Sequence, residues 1–272
     1  MSAALLQPRL NQDHFEHIRK MLYRVSRIDL KTGKESLVEA RLGKRLRTLG
    51  LDSFDAYIHR ISQDRSGNEL AFMVDALTTN KTSFFREYQH FELLHQQVLP
   101  YLKEKSKKIR IWCAGCSSGE EPYSLGISMR EEWPDVDRLD VRILATDISD
   151  TALEKARQAL YDEDQLGEVP PRLRQKYFAP AQPRSYQVAG PVKDLVQFAA
   201  LNLMGPWPMR GPFDVIFCRN VMIYFDRPTQ EQLVQRFYSL LLPGGYFFIS
   251  HSESLSGVKH SFNYVQPAVY RR

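Results

Sequence analysis

Along the first 75 residues, apolar positions recur at spacings of three and four. Phe15, Ile18, Leu22 and Val25 mark one amphipathic helix. A second is predicted to open at Ser36, with Glu39 three residues on in capping-box fashion, and to stop near Gly50. Its apolar stripe, Val38, Leu42, Leu46 and Leu49, falls in a narrow arc at about 100° per residue. Arg41, Lys44 and Arg47 form a ridge on another side of the same helix. The segments 54–61 and 70–77 continue the helical period. The pattern predicts a small helical module over residues 1–75.

A polar connector, 78–86, follows, and the pattern then changes. Short apolar runs at 109–113, 141–145, 195–200, 213–218, 246–250 and near 264–270 read as strands. Helical periods fill 121–131, 150–160 (capped by Asp150) and 229–242. Strands alternating with helices predict a mostly parallel, doubly wound sheet. Pro243-Gly244-Gly245 reads as a turn between helix and strand. The proline-rich stretch 170–191 fits neither pattern and reads as a loop or small insertion, and no internal repeat is present.

Charge changes the picture only by its position. The 272 residues hold 37 Lys and Arg against 32 Asp and Glu, a formal +5. Residues 19–47 alone hold ten Lys or Arg and three acids, a local +7, so the rest of the chain carries −2. The surplus therefore belongs to the helical module. With 43% hydrophobic and 25% charged residues, the composition excludes disordered and low-complexity classes. Three cysteines make no disulfide scaffold and point to a reducing compartment. No signal-peptide core and no run near the roughly 18 apolar residues of a membrane span is seen, so a soluble, cytoplasmic protein is expected.

The segment IRIWCAGCSSGEEPYSLGI carries the most chemistry. A strand feeds a turn of small residues (Ala114, Gly115, Ser117, Ser118, Gly119) and then a helix, the place where open α/β sheets bind ligands. Only Gly115 and Gly119 are glycine, so no G-x-G-x-x-G fingerprint is present; alone, the turn reads equally as a nucleotide-like ligand loop or as a plain tight turn. Cys113 and Cys116 invite a redox or zinc reading. A structural zinc site wants four ligands, and no second pair exists. A helix opening with Glu120 and Glu121 raises a nearby thiol pKa rather than lowering it, so the cysteines read as packing residues. Asp147 ends the second strand, where a ribose would present its hydroxyls, although an Asp there is also a common turn or cap residue. Loop and acid together favour an adenosine-containing cofactor over a nicotinamide dinucleotide.

Five blocks carry a further signal: TTNKTSFFRE (78–87), AGCSSGEEPYS (114–124), ATDIS (145–149), FDVIFCRNVMIYFD (213–226) and GGYFFISHSES (244–254). Together, in this order, they resemble the CheR family, S-adenosylmethionine-dependent methyltransferases that esterify glutamates on bacterial chemotaxis receptors. The resemblance covers the whole chain. It implies an α/β fold: a doubly wound class I methyltransferase (Rossmann-like) sheet, a small all-helical N-terminal domain and a small β insertion at about 177–198. Residues 1–75 would be the receptor-docking domain, 76–88 a connector contributing to the cofactor site, and 89–272 the methyltransferase domain.

The resemblance also implies contacts. Asn80, Thr82 and Arg86 would fold over the cofactor, and Glu121 would hold the methionyl amino group. Asp147 would take the ribose hydroxyls, and Asn202 and Leu203 would flank the adenine. Arg219 and Asn220 would complete the pocket. Arg86 would position cofactor and substrate, and Tyr224, near the transferred methyl, would be the catalytic contact. His251 and His260 are expected to be structural. The cofactor is S-adenosylmethionine, the product S-adenosylhomocysteine, and no metal is expected.

A glutamate carboxylate is ionised at neutral pH, so no general base is needed. The partners implied are methyl-accepting chemotaxis receptors, membrane-bound proteins whose acidic cytoplasmic helical bundle suits the ridge of Arg41, Lys44 and Arg47. The chain itself is not expected to enter the membrane. The compact PAQPRSYQVAGP in the insertion predicts methylation without a receptor C-terminal peptide tether. One rival is a nucleic-acid methyltransferase, but the Asn/Asp-Pro-Pro-aromatic motif of amino-methylating enzymes is replaced by Arg219-Asn220-Val221-Met222, and no nucleic-acid partner is expected. A second rival is a non-enzymatic sensor that binds the cofactor.

Overall fold

The computed structural model describes residues 8–105 and 107–272. They divide into two units: residues through Thr79 together with Tyr224–Asp226, and Asn80–Ile223 with Arg227–Arg272.

In the first unit the helical periods become four helices, α1 (Gln12–Ser26), α2 (Glu35–Leu49), α3 (Phe54–Gln63) and α4 (Asn68–Leu77). Asn11 caps α1 by accepting the N–H of His14, whose ring accepts the Asn11 N–H in return. Phe15, Ile18 and Leu22 are fully buried and Val25 half-buried. Ser53 caps α3, which buries Phe54, Tyr57 and Ile61. The capping box expected at Ser36 does not form. The left-handed turn at Gly33 lets α2 begin at Glu35, and Glu39 instead accepts the distant N–H of Leu10 at 3.0 Å.

The second unit opens with α5 (Tyr88–Leu93), a π-helical turn at Leu94–Val98, and α6 (Leu99–Lys105). Next come β1 (Lys108–Ala114), α7 (Glu120–Glu132), β2 (Asp140–Asp147), α8 (Asp150–Gln158) and β3 (Leu160–Asp162). Then follow α9 (Pro171–Tyr177), β4 (Phe178–Gln182), β5 (Ser185–Val188), α10 (Gly190–Lys193) and β6 (Val196–Ala200). The chain closes with β7 (Phe213–Phe217), α11 (Arg227–Leu240), β8 (Leu241–Phe248), β9 (Asn263–Gln266) and β10 (Val269–Arg271).

A seven-stranded sheet runs in the order β6-β2-β1-β7-β8-β10-β9. Its first five strands pair in parallel and β10 is antiparallel to both its neighbours. The alternation of side chains along β1 shows why the strand is apolar almost throughout. Ile109, Ile111 and Cys113 join the main core, while Trp112 packs on Trp207, Phe213 and Phe237 and donates to Thr146 Oγ1 at 2.9 Å.

Several local expectations shift. Ser149, not Asp150, caps α8, because its Oγ accepts the Ala152 N–H at 3.0 Å. The single last strand is a hairpin, β9 and β10, turned at Pro267-Ala268. Pro243-Gly244-Gly245 lies within β8 as an irregular segment: Leu241 pairs with Phe213, and pairing resumes at Tyr246. The proline-rich stretch resolves into α9, with proline at its first position, and a second, antiparallel sheet in the order β3-β5-β4. That sheet starts at Leu160, ahead of the expected 177, and Val196–Ala200 belongs to the large sheet.

Candidate active site

Parallel strands deliver their carboxyl ends to one edge of the sheet, so the loops after β1, β2, β6 and β7 converge there. After β1 the chain turns sharply: the N–H groups of Gly115 and Cys116 both donate to the Thr146 carbonyl of β2, at 2.8 and 2.9 Å. Gly115 sits at φ +87°, and a Cβ there would come 2.3 Å from Val221 Cγ2. Only glycine lets the loops after β1 and β7 touch. Gly119, at φ +97°, leads into α7 where a Cβ would meet the Tyr161 hydroxyl at 2.9 Å.

Asp147 binds these loops together. Its Oδ2 accepts the Ser117 N–H at 2.7 Å and its Oδ1 the Ser149 N–H at 2.9 Å. Asn80 of the connector lies on the same pair of loops. Its Nδ2 donates to Ser149 Oγ at 3.1 Å, and its carbonyl accepts the Ser117 hydroxyl at 2.9 Å. The Leu201 N–H donates to the Asp147 carbonyl at 2.8 Å, which brings the end of β6 alongside. There Asn202 accepts the Met204 N–H at 2.9 Å, folding a turn that buries Leu203.

Arg219 follows β7, with its side chain only 1% exposed. Nη1 donates to Glu121 Oε2 at 2.6 Å; Nη2 faces Glu87 Oε2 at 3.2 Å and donates to the Arg86 carbonyl. Two carboxylates on one guanidinium offset the cost of burying the charge. Arg219 Nε is buried without a hydrogen-bond partner. The other Glu121 oxygen accepts the Cys113 thiol at 2.8 Å. The Arg86 guanidinium turns back onto the Lys81 carbonyl at 2.9 Å, and Thr82 lies half-buried in the same connector.

Asn220, in the left-handed region at φ 59°, donates from Nδ2 to Ser250 Oγ at 2.7 Å. Its loop is held by Glu253, whose carboxylate accepts the N–H groups of Asn220, Val221, Ile223 and Ser250 at 2.8–3.2 Å. Burial pushes the Glu253 carboxyl up despite these bonds. Burial also opposes the charge on Glu87, but Arg219 and the Ser250 hydroxyl overcome it and hold that carboxyl below the usual range. Burial, then Glu121, drives the Cys113 thiol well up; burial, then Asp147, does the same for Cys116. Neither is a thiolate nucleophile.

The large unit thus gathers Asn80, Arg86, Glu121, Asp147, Asn202, Arg219 and Asn220 in one linked region. Tyr224 belongs to the helical unit, where its carbonyl accepts the Asp29 N–H at 2.8 Å. In that unit Arg41 Nη1 donates to the carbonyls of Leu77 (3.1 Å) and Thr78 (2.7 Å), capping the end of α4, while Lys44 and Arg47 stay exposed. Glu87, Ser149 and Glu253 organise the site without having been singled out from the sequence. Their signal lies in the blocks TSFFRE, ATDIS and SHSES, at or next to the last residue of each.

A family model described as CheR methyltransferase, SAM binding domain, matches residues 80–271, and one described as CheR methyltransferase, all-alpha domain, matches 13–78. A probable chemotaxis protein methyltransferase of Rhizobium etli is 43% identical over 92% of this chain and 96% of its own length. A chemotaxis protein methyltransferase of Borreliella burgdorferi is 40% identical over 97% and 95%. The chemotaxis protein methyltransferase of Escherichia coli is 36% identical over 96% and 91%. With both of its units matched and full-length relatives at this identity, the chain belongs to the CheR methyltransferase family.

Proposed function

We propose that this protein transfers a methyl group from S-adenosylmethionine to glutamate side-chain carboxylates of chemotaxis receptors, giving glutamyl methyl esters and S-adenosylhomocysteine for sensory adaptation. The observation that carries this is the joining of Asp147, Glu121–Arg219 and the connector at adjacent strand ends. The donor set fits the cofactor. A carboxylate is acceptor-only, with about four lone-pair sites, which suits a ribose diol at Asp147 and an ammonium group at Glu121. Relatives named chemotaxis protein methyltransferase support the substrate class.

When bound, S-adenosylmethionine supplies an electrophilic methyl group on a sulfonium. The work left to the protein is orientation and exclusion of water, because the attacking carboxylate is already ionised. Asn80 and Thr82 close the connector over the cofactor. Asn202 and Leu203 shape the adenine end, and Arg219 fixes Glu121 while Asn220 fixes the loop after β7. Arg86 positions cofactor and substrate through its N–H donors. Tyr224 keeps the place the resemblance implies, near the transferred methyl.

The exposed Lys44 and Arg47, with Arg41 behind them, serve as the docking face for the acidic receptor helices. The turn of the small sheet is only two residues, Pro183 and Arg184, and we assign no required receptor tether to it. Calorimetric titration with a receptor C-terminal peptide tests that point; tight binding refutes it. The function itself is tested by incubating the protein with methyl-labelled cofactor and receptor cytoplasmic fragments. Label on receptor glutamates supports it, and label confined to RNA refutes it.

A further inference from the structure

Glu87, which also pairs with Arg219, joins His90 and His251 to place one carboxylate and two imidazoles together on the large unit. Glu87 precedes α5 with a left-handed backbone at φ 57°, His90 lies one turn on, and His251 follows β8. The two rings stack with centroids 4.6 Å apart and planes inclined by 25°. Both Nδ1 atoms face the same oxygen, Glu87 Oε2, at 3.4 Å from His90 and 3.3 Å from His251.

These distances are too long for charge-assisted hydrogen bonds, which run about 2.7–2.9 Å. They do match the ligand-to-ligand edge of a tetrahedral site, about 3.3–3.4 Å for bonds of about 2.0–2.1 Å. The third edge, between ligand atoms of the two imidazoles, is within 4.8 Å, and the His251 side chain is exposed. His90 gives a second, independent indication. It is wholly buried, yet neither ring nitrogen has a hydrogen-bond partner. Such orphaned polar atoms are costly and uncommon.

We propose that Glu87, His90 and His251 form a zinc-class divalent transition-metal site, His2Glu in composition, with a water as fourth ligand. Two imidazoles select such an ion over magnesium or calcium, which want oxygen ligands. On its His251 side the cluster borders a cavity of about 350 Å³, with Gln89, Glu92 and Gln266 in its walls, which has room for that water. Arg219 opposes a cation here, and the carboxylates of Glu87 and Glu121 beside it leave the three groups with net charge −1.

The test uses the untagged full chain, stripped with chelator and desalted, with no cofactor added. Zn²⁺ is titrated by calorimetry and Co²⁺ by visible absorption. The expected result is one equivalent bound, with the intense absorption of tetrahedral cobalt. His251→Ala, checked for an unchanged melting temperature, should weaken Zn²⁺ binding at least about tenfold, the loss seen even for groups that merely orient metal ligands. His260→Ala, at a histidine elsewhere in the unit, should leave it unchanged. No binding, or equal affinity in His251→Ala and the unaltered chain, overturns the proposal.

Discussion

Arg219 and Glu121 meet at 2.6 Å across the ends of β7 and the start of α7, and the arginine is almost wholly buried. The pair links the loops at the strand ends to the connector, because the second arm of the same guanidinium reaches Glu87 and the Arg86 carbonyl. Breaking a buried pair from one side strands the partner charge, at a cost of about 3–5 kcal/mol. Arg219→Ala should therefore lower the melting temperature strongly. Glu121→Gln keeps the shape and should fold, yet calorimetry should show weakened S-adenosylhomocysteine binding.

Asp147 holds two backbone N–H groups from different loops, one on each oxygen. Asp147→Asn replaces one acceptor with an NH₂ group that faces a donor. Hydrogen bonds to a charged group contribute about 1.5–3 kcal/mol net, so S-adenosylhomocysteine affinity should fall at least about tenfold. Unchanged affinity would remove Asp147 from the site.

Gly115→Ala meets two obstacles, the left-handed φ of +87° and a contact of 2.3 Å with Val221. The expected loss is about 1–3 kcal/mol of stability, read by denaturant unfolding. Val221→Ala in the same chain should recover the part due to the clash and leave the part due to the backbone.

The helical pattern, the strand alternation and the parallel sheet were legible because each depends on local periodicity. The features that shifted depend on distant partners. Glu39 is spaced to cap its own helix, but its carboxylate accepts the Leu10 N–H instead. Arg41 shares a ridge with Lys44 and Arg47 in the sequence pattern, but its guanidinium closes the end of α4, 35–37 residues away. In the site, the motif blocks marked the strand ends where Asp147 and Arg219 gather. Glu253 escaped because three of its partners are backbone N–H groups about 30 residues earlier, which leave no side-chain signature.

That division of the ridge has a consequence. Lys44→Glu with Arg47→Glu should leave the melting temperature and cofactor affinity nearly unchanged while receptor methylation falls. Arg41→Glu should instead destabilise the helical unit. Equal methylation by the Lys44→Glu, Arg47→Glu chain would rule out the docking face.

Acid should loosen the contact between α7 and α9. Burial raises the Glu131 carboxyl, but Lys176, Tyr177 and Arg172 outweigh it and hold it at about 2. A depressed carboxyl contributes stability above its unfolded value of about 4.5, and that contribution is lost as pH falls from there towards 2. Melting temperatures of the unaltered chain and Glu131→Gln should therefore differ at pH 7 and converge through that window.

The chemistry of the acceptor separates a glutamyl ester from every rival product. With methyl-labelled S-adenosylmethionine, receptor cytoplasmic fragments and RNA offered together, the label should appear on receptor glutamates and be released as methanol by mild base. Base-stable label on the protein, or label on the RNA, would rule out glutamyl esterification.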